Sequence, residues 1–559
     1  MLSLYNGKIR SGGDFYEAIA IENGSIAALG SNEEIRSFAA NADCSAAGGE
    51  CGGAEQGQPD NREIDLKGNL VLPGFIDSHA HGALSMALLI DRIDLRPCKS
   101  VDEYAAAIKE FIAENPEKDI YYGCGWSSAL FPEKGPEKEM LDALCPDKPM
   151  ILKAIEGHAI WVNSKAIEDA GVTPESKVPT GGTMEKNDDS SVRGCFKDEA
   201  QKLIEDRLPD MPVELYKEAI RQYQQLMVPY GYTGACEMQM YRNNNMHKAY
   251  MEMAEAGELI MKAGMHYVIS PNDDMEFVKE SLANPVRTFE NKLADGFYIK
   301  IFIDGVIENA TGWLKEPYAN NPENIGVQLW EDEHLFEVCA YVDSLGYDIH
   351  FHVIGDAAVN QMVRAMEYVK QANGDRPDRR PVAAHVQLAD KEDIKRMAEL
   401  GFCVSANPYW FGIEQNYYYG VEVPLLGKER AERQYPMKSL MDAGMVVSAG
   451  SDFSVTAEPY PVGAVKLGME RCLRDIIEGA DEVLWEEECA GLEEMVDAVT
   501  KNAAYTSRMD EKTGTIEVGK LADLVVLSRN IFEIPSKEFM SVQPLMTISE
   551  GEIVFSQEF

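Results

Sequence analysis

Between about residues 70 and 500 the chain alternates short apolar runs with stretches whose apolar positions recur at helical spacing. That alternation constrains the fold more than any other feature. VDEYAAAIKEFIAEN and KEAIRQYQQLMVPYG have the pattern of amphipathic helices. PMILKAI, FYIKIFI, YDIHFHVI, PVAAHVQ, GFCVSAN and MVVSAG are apolar runs of strand length. Strands of this kind, separated by helices, predict a parallel sheet covered by crossover connections. Several runs end in a polar residue able to do chemistry, and in a closed (β/α)₈ barrel such ends gather on one face. The expected fold class is α/β, a (β/α)8 TIM-like barrel.

Both ends of the chain depart from this pattern. SLYNGKI and AIAIENGSIAALG read as short strands, with Asn23-Gly24 as a hairpin turn signal. GTIEVGKLADLVVLS and TISEGEIVF give the tail the same character. The expected organisation is a small composite β-sandwich from residues 1–68 and 508–559, bracketing a barrel with insertions over 69–507. The small, polar, Gly-rich stretch 41–61 is expected to be a surface loop, and 179–194 an excursion over the barrel's active face.

Charge narrows the partners. With 52 basic and 94 acidic residues the net charge is −42, which disfavours nucleic acid and anionic membrane surfaces. No apolar run approaches the roughly 18 residues of a membrane span, and the N-terminus has no signal-peptide pattern. Eleven cysteines without a CxxC pair suggest reduced thiols, so a cytoplasmic location is expected. The partner expected is a small-molecule substrate, and the oligomeric state, a homodimer among the options, stays open.

The chain has nine histidines, and two of them, His79 and His81, stand at the end of the run VLPGFIDSHAHG. Residues i and i+2 of a strand share a face, so the two imidazoles converge as half of a metal site. Alternatively they are satisfied histidines of a polar loop. Lys300 lies within FYIKIFIDG, where a lone ammonium is costly and must be paired, neutralised or chemically altered. Pairing with a nearby acid such as Asp304 is the ordinary alternative. IHFHVIGD places His350 and His352 on one face, and one of the two could be a core histidine. PVAAHVQ puts His385 near a strand end, and MVVSAGSDFSV puts Asp452 just past another, where it could equally cap a helix. The aromatic run NPYWFGIEQNYYYG (407–420) could line an apolar pocket or simply pack a loop.

The order His-x-His, Lys, His, His, Asp, each at a strand end, resembles the amidohydrolase superfamily. Within it the chain is similar to the amidohydrolase family 3 branch that includes N-substituted formamide deformylase-like proteins. PGFIDSHAHG, KIFIDG, HVIGDAAV, AAHVQ and GSDFSV look like its first, fourth, fifth, sixth and eighth strand motifs. GCGWSSALFP (123–132), EGHAIWVNSKAIEDAGV (156–172) and NAAYTSRMDEKTGTIEVGKLADLVVL also look like this branch. The resemblance implies one or two divalent ions, zinc first among them. His79, His81 and Asp452 would hold the inner ion and His352 and His385 the second. Lys300 would be carboxylated by CO2 to a bridging carbamate. Asp452 would also shuttle protons during C–N hydrolysis of an amide or N-substituted formamide by metal-activated hydroxide. Trp126 and His158 would lie on the substrate side, and His350 matches no ligand.

Two other functions are weighed. A heterocyclic amine deaminase of the same superfamily that uses one metal typically carries His-x-x-Glu on the fifth strand and no bridging lysine. Here the stretch reads His352-Val-Ile-Gly and Lys300 is present. A non-catalytic binding or scaffold barrel would be expected to lose ligands, whereas all six matching positions are intact.

Overall fold

The computed structural model describes residues 1–46, 62–90, 92–179, 181–207, 211–241, 244–283 and 287–558. Its centre is eight parallel strands: β1 (Phe75–Ala80), β2 (Tyr232–Met240), β3 (Lys262–Val268), β4 (Leu293–Phe302), β5 (Asp348–Val353), β6 (Val382–His385), β7 (Cys403–Ala406) and β8 (Val446–Ala449). They neighbour one another in chain order. Beyond the strand ends, the His81 N–H donates to the Phe453 carbonyl at 2.8 Å and the Asp452 N–H to the His79 carbonyl at 2.7 Å. The first and last strands are thereby drawn together, and the sheet is a nearly closed barrel. Helices such as Asn245–Glu255, Asp332–Ser344 and Asp356–Asn373 fill the connections, the right place for amphipathic segments that must bury one face on a sheet. β1 and β5 are buried along their whole length, so the polar residues they carry, Asp77, Ser78 and His79 in β1 and Asp348, His350 and His352 in β5, are buried with them.

β2 and β3, read from YTGACEMQM and KAGMHYV, are barrel strands that the sequence patterns above do not single out. PMILKAI is a strand, Met150–Ala154, but not of the barrel. It sits in a six-stranded mixed sheet between β1 and β2, in the order Gly182–Lys186, Val192–Asp198, Ala159–Val162, Met150–Ala154, Tyr121–Trp126, Ile93–Asp94. One face packs on Tyr104, Trp161 and Leu141, and the other on Ile160, Ile167 and Phe196. A strand buried on both faces looks the same in sequence whichever sheet it joins, so periodicity alone placed it wrongly. The 179–194 stretch supplies one hairpin of this sheet.

The two chain ends share a sheet. Lys8–Ser11, Asp14–Tyr16 and Leu70–Pro73 lie in one sheet with Leu524–Leu527, Pro544–Ser549 and Glu552–Ser556, joined where Leu70–Pro73 pairs with Leu524–Leu527, so the sheet takes the chain slightly past residue 68. A four-stranded sheet of Leu2–Tyr5, Ala18–Glu22, Ser25–Gly30 and Arg62–Asp65 completes the composite sandwich around Leu4, Ile19, Val71, Leu524 and Ile548. Asn23 and Gly24 turn the hairpin with φ of 50° and 78°, the left-handed pair of a tight hairpin turn. The Gly24 carbonyl then accepts from the Ala522 N–H at 2.8 Å, stitching the N-terminal hairpin to the tail.

The expected loop at 41–61 is corrected in part. Its first residues end an alanine-rich helix, Asn32–Ala46, because alanine favours helix whatever its neighbours' polarity. Residues 47–61 lie outside the described residues. No disulfide joins any of the described cysteines. Among the described residues no helix is long and apolar enough to cross a membrane.

Candidate metal centre and active-site cavity

The mouth at the C-terminal ends of the barrel strands brings all six ligand-position residues into one cluster. His81 Nε2 lies 3.2 Å and His79 Nε2 3.5 Å from Asp452 Oδ1. One donor atom from each of these three residues falls within 4.8 Å of the others. Lys300 Nζ is 3.2 Å from His79 Nε2. The His385 ring lies 4.8 Å from that of His79 and 4.7 Å from that of His352.

Local backbone explains the convergence. Gly450 follows β8 so closely against β1 that an added Cβ would meet His79 Cβ at 2.5 Å. Asp77, one strand position before Ser78, accepts from the backbone N–H groups of Ser451 (2.9 Å) and His79 (3.2 Å) and from the Ser451 hydroxyl. This clamp fixes the β1 and β8 ends together, and burial pushes the Asp77 carboxyl up to about 7. His385 and Asp452 have φ of 70° and 53°. Non-glycine residues held in that region are costly and concentrate at functional sites.

Hydrogen bonds behind the cluster set the tautomers. The Asn407 amide nitrogen donates to the Gly450 carbonyl (3.1 Å), so its Oδ1 is the atom facing His385 Nδ1 at 2.8 Å. His385 Nδ1 therefore carries a proton and Nε2 keeps its lone pair. His352 Nε2 donates to the Gly305 carbonyl at 3.1 Å, leaving Nδ1 with the lone pair. Neutral imidazoles with one nitrogen tied to an oxygen are what metal ligation needs. Burial keeps them neutral: His79 and His352 fall well below the ordinary histidine range, and His385 falls to about 4. Burial also pulls Lys300 down to about 7, with the Asp452 charge only partly opposing it. For Asp452 burial acts upward, but the His81 hydrogen bond and the charges of His81, His385 and Lys300 hold it at about 2.

Asp304 is not the counter-ion of Lys300. It accepts from the backbone N–H groups of Trp313, Ile354 and Gly355 at 2.8, 3.0 and 2.8 Å, tying the loop after β4 to the end of β5. Asp452 Oδ1 is buried with no hydrogen bond of good geometry. Two imidazoles and a carboxylate oxygen turned toward one another, with a buried amine that has no acid partner beside them, fit a divalent cation.

His81, His352, His385 and Asp452 open on a cavity of about 510 Å³, while His79 and Lys300 lie behind it. His158 lines this cavity, donating from Nδ1 to Asp198 Oδ1 at 2.8 Å, with its ring 5.0 Å from His352. Burial acts downward on His158, but the bond and charge of Asp198 raise it above its ordinary value. Trp126 does not reach the cavity. It is 0% exposed, its indole N–H donates to the Leu152 carbonyl at 2.8 Å, and it packs in the core of the inserted sheet. The large apolar surface of a tryptophan is the physical reason: it stabilises that core. From the aromatic run, Tyr409, Trp410 and Tyr417 line the cavity, and Phe411 and Tyr418 pack inward. His350 sits behind the site, with Nε2 3.1 Å from His79 Nδ1. His266, which its short strand gave no reason to select, is buried beyond it against Tyr298.

An eight-stranded α/β barrel with convergent histidines, a lysine and an aspartate at its mouth is the arrangement of metal-dependent hydrolases. The amidohydrolase family pattern matches residues 62–555, and the chain belongs to that family. It is 29% identical over 556 residues to the amidohydrolase YtcJ of Bacillus subtilis, covering 98% of this chain and 97% of that one. It is 24% identical over 564 residues to N-substituted formamide deformylase of Arthrobacter pascens, covering 97% and 95%. A crystal structure of a metal-dependent hydrolase from Pyrococcus horikoshii superposes with a TM-score of 0.72 at 22% identity, covering 96% and 99%.

Proposed function

We propose that this hydrolase cleaves the carbon–nitrogen bond of an amide or an N-substituted formamide. The observation that carries the reading is the joining of His79, His81, Lys300, His352, His385 and Asp452 in one cluster, four of which line one cavity with His79 and Lys300 behind them. His79, His81 and Asp452 would hold one divalent ion, most simply zinc. His352 and His385 would hold a second, with Lys300 between them as a carbamate formed with CO2. Such ions supply Lewis acidity, polarising a carbonyl and bringing the acidity of water toward neutrality.

The chain's own groups do the rest. Asp452 takes a proton from the attacking water and returns it to the departing nitrogen as the C–N bond breaks, so the proton count balances. His158, oriented by Asp198, faces the substrate and donates a hydrogen bond to it. Asn407 and the Gly305 carbonyl keep His385 and His352 in the tautomers that leave lone pairs for ligation. The similarity to N-substituted formamide deformylase supports a formamide as the first substrate to try.

Zinc-supplied protein is expected to release amine from at least one of a set of N-formyl, N-acyl and cyclic amides. A chelator should stop the release, and zinc should restore it. If the amides are inert while heterocyclic amines yield ammonia, the site is a deaminase and the proposal fails.

A further inference from the structure

The loops after β4 and β7 give the cavity an unusual wall. Glu308 and Glu422 stand there with Trp410, Tyr417 and Tyr435, and Glu156 adjoins them from the inserted sheet. Each acid takes its side-chain hydrogen bonds from neutral groups. Glu156 accepts from Asn309 Nδ2 at 2.8 Å and from the Ser128 hydroxyl at 3.2 Å. Glu308 accepts from the Tyr417 hydroxyl, and Glu422 from Gln387 Nε2 at 3.4 Å. The lysines that reach the cavity are committed elsewhere, Lys153 to Glu205 at 3.3 Å and Lys202 to Glu199 at 2.8 Å. No arginine lines it among the described residues.

Two buried acceptors on the same cavity lack any donor: Asp198 Oδ2 and Gln201 Oε1, on residues each 8% exposed. Burying an acceptor unpaired is costly, so such atoms point to a donor that arrives with a ligand. Burial, and then the Glu308 charge, raise Glu422 to about 8. Burial likewise brings Glu156 to about 7, with its hydrogen bonds and the His158 charge opposing and Glu308 adding to the rise. Among the described residues His158 is the one titratable base whose charge acts on this wall, and it reaches Glu156; Glu308 and Glu422 have no such partner and are short of positive charge. None of these acids belongs to the compact group of metal-ligating atoms found among the described residues, His79, His81 and Asp452. Aromatic side chains beside carboxylates suit an organic cation, which they attract through their ring faces.

We infer that this pocket selects substrates bearing an organic cation, a protonated amine, amidine or guanidine, seated between Glu308, Glu422 and the aromatic side chains of Trp410, Tyr417 and Tyr435. The amide part of this inference rests on the proposed C–N hydrolysis, but the preference for a cation rests on the wall alone.

The test is calorimetric titration of the metal-loaded protein with benzylammonium, benzyl alcohol and benzoate, three probes of similar shape and different charge. Benzylammonium is expected to bind about tenfold more tightly than benzyl alcohol, with benzoate weakest. In the Glu308→Gln/Glu422→Gln double variant the ammonium advantage should vanish while benzyl alcohol binds as before. Equal binding of ammonium and alcohol by the unmodified protein overturns the inference without needing any variant. So does an ammonium advantage that survives the double substitution. An ammonium preference in a protein that cuts no amide upholds the cation site and removes the hydrolase reading. Turnover of neutral amides with no gain from an ammonium-bearing analogue does the reverse.

Discussion

Replacing Lys300 with alanine is expected to leave a folded barrel that turns over no amide and retains less metal. Lys300 is 0% exposed, its amine lies 3.2 Å from His79 Nε2, and the acid that could have paired with it, Asp304, is spent on three backbone N–H groups. A buried amine so placed serves structure poorly and serves a metal bridge well once it carries a carboxylate. On the proposed reading, removing it would delete a ligand shared by two ions, and a drop of about 10³-fold or more in turnover is expected from losing the chemistry those ions would supply. Metal analysis separates this from a folding defect, since circular dichroism should be unchanged while bound metal falls. Acetate or propionate, by standing in for the missing carboxylate, should restore part of the activity. Unchanged activity in the alanine variant would refute the role.

Asp452→Asn should behave differently. The amide keeps an oxygen for ligation and keeps the steric fit beside His81, but it cannot accept a proton. Most of the metal should remain while turnover falls by about 10²–10⁴-fold, the usual worth of a positioned acid–base group. Metal content near that of the unmodified protein, together with slow turnover, is the expected pair of readings. Turnover equal to the unmodified enzyme would remove Asp452 from proton transfer.

What the residues reveal in advance follows from where the forces act. The barrel is legible because most of its strands leave short apolar runs and the covering helices leave amphipathic ones, whereas β2 and β3, broken by glycine and polar residues, do not stand out. The cluster at its mouth is legible only as a set, because histidine, lysine and aspartate recur at the ends of such runs while each of them alone has an ordinary structural explanation. Tertiary packing hides the rest. Met150–Ala154 is more apolar than β5 yet belongs to the inserted sheet, since an apolar run says nothing of which neighbour a strand pairs with. Trp126 sits in a stretch typical of the family, but its ring faces a core and not the cavity. Asn407, Asp77 and Glu422 gain their meaning from partners 22, 374 and 35 residues away, distances over which no local pattern carries information. Asp77 alone left a trace, a carboxylate inside the apolar run FIDSHAHG.

The metal content of the purified chain tests the central claim most directly. Elemental analysis of protein grown with zinc, manganese and iron available should find between about one and two equivalents of divalent metal, lowered by Lys300→Ala. Less than about a tenth of an equivalent in the unmodified, metal-supplied protein would contradict the account.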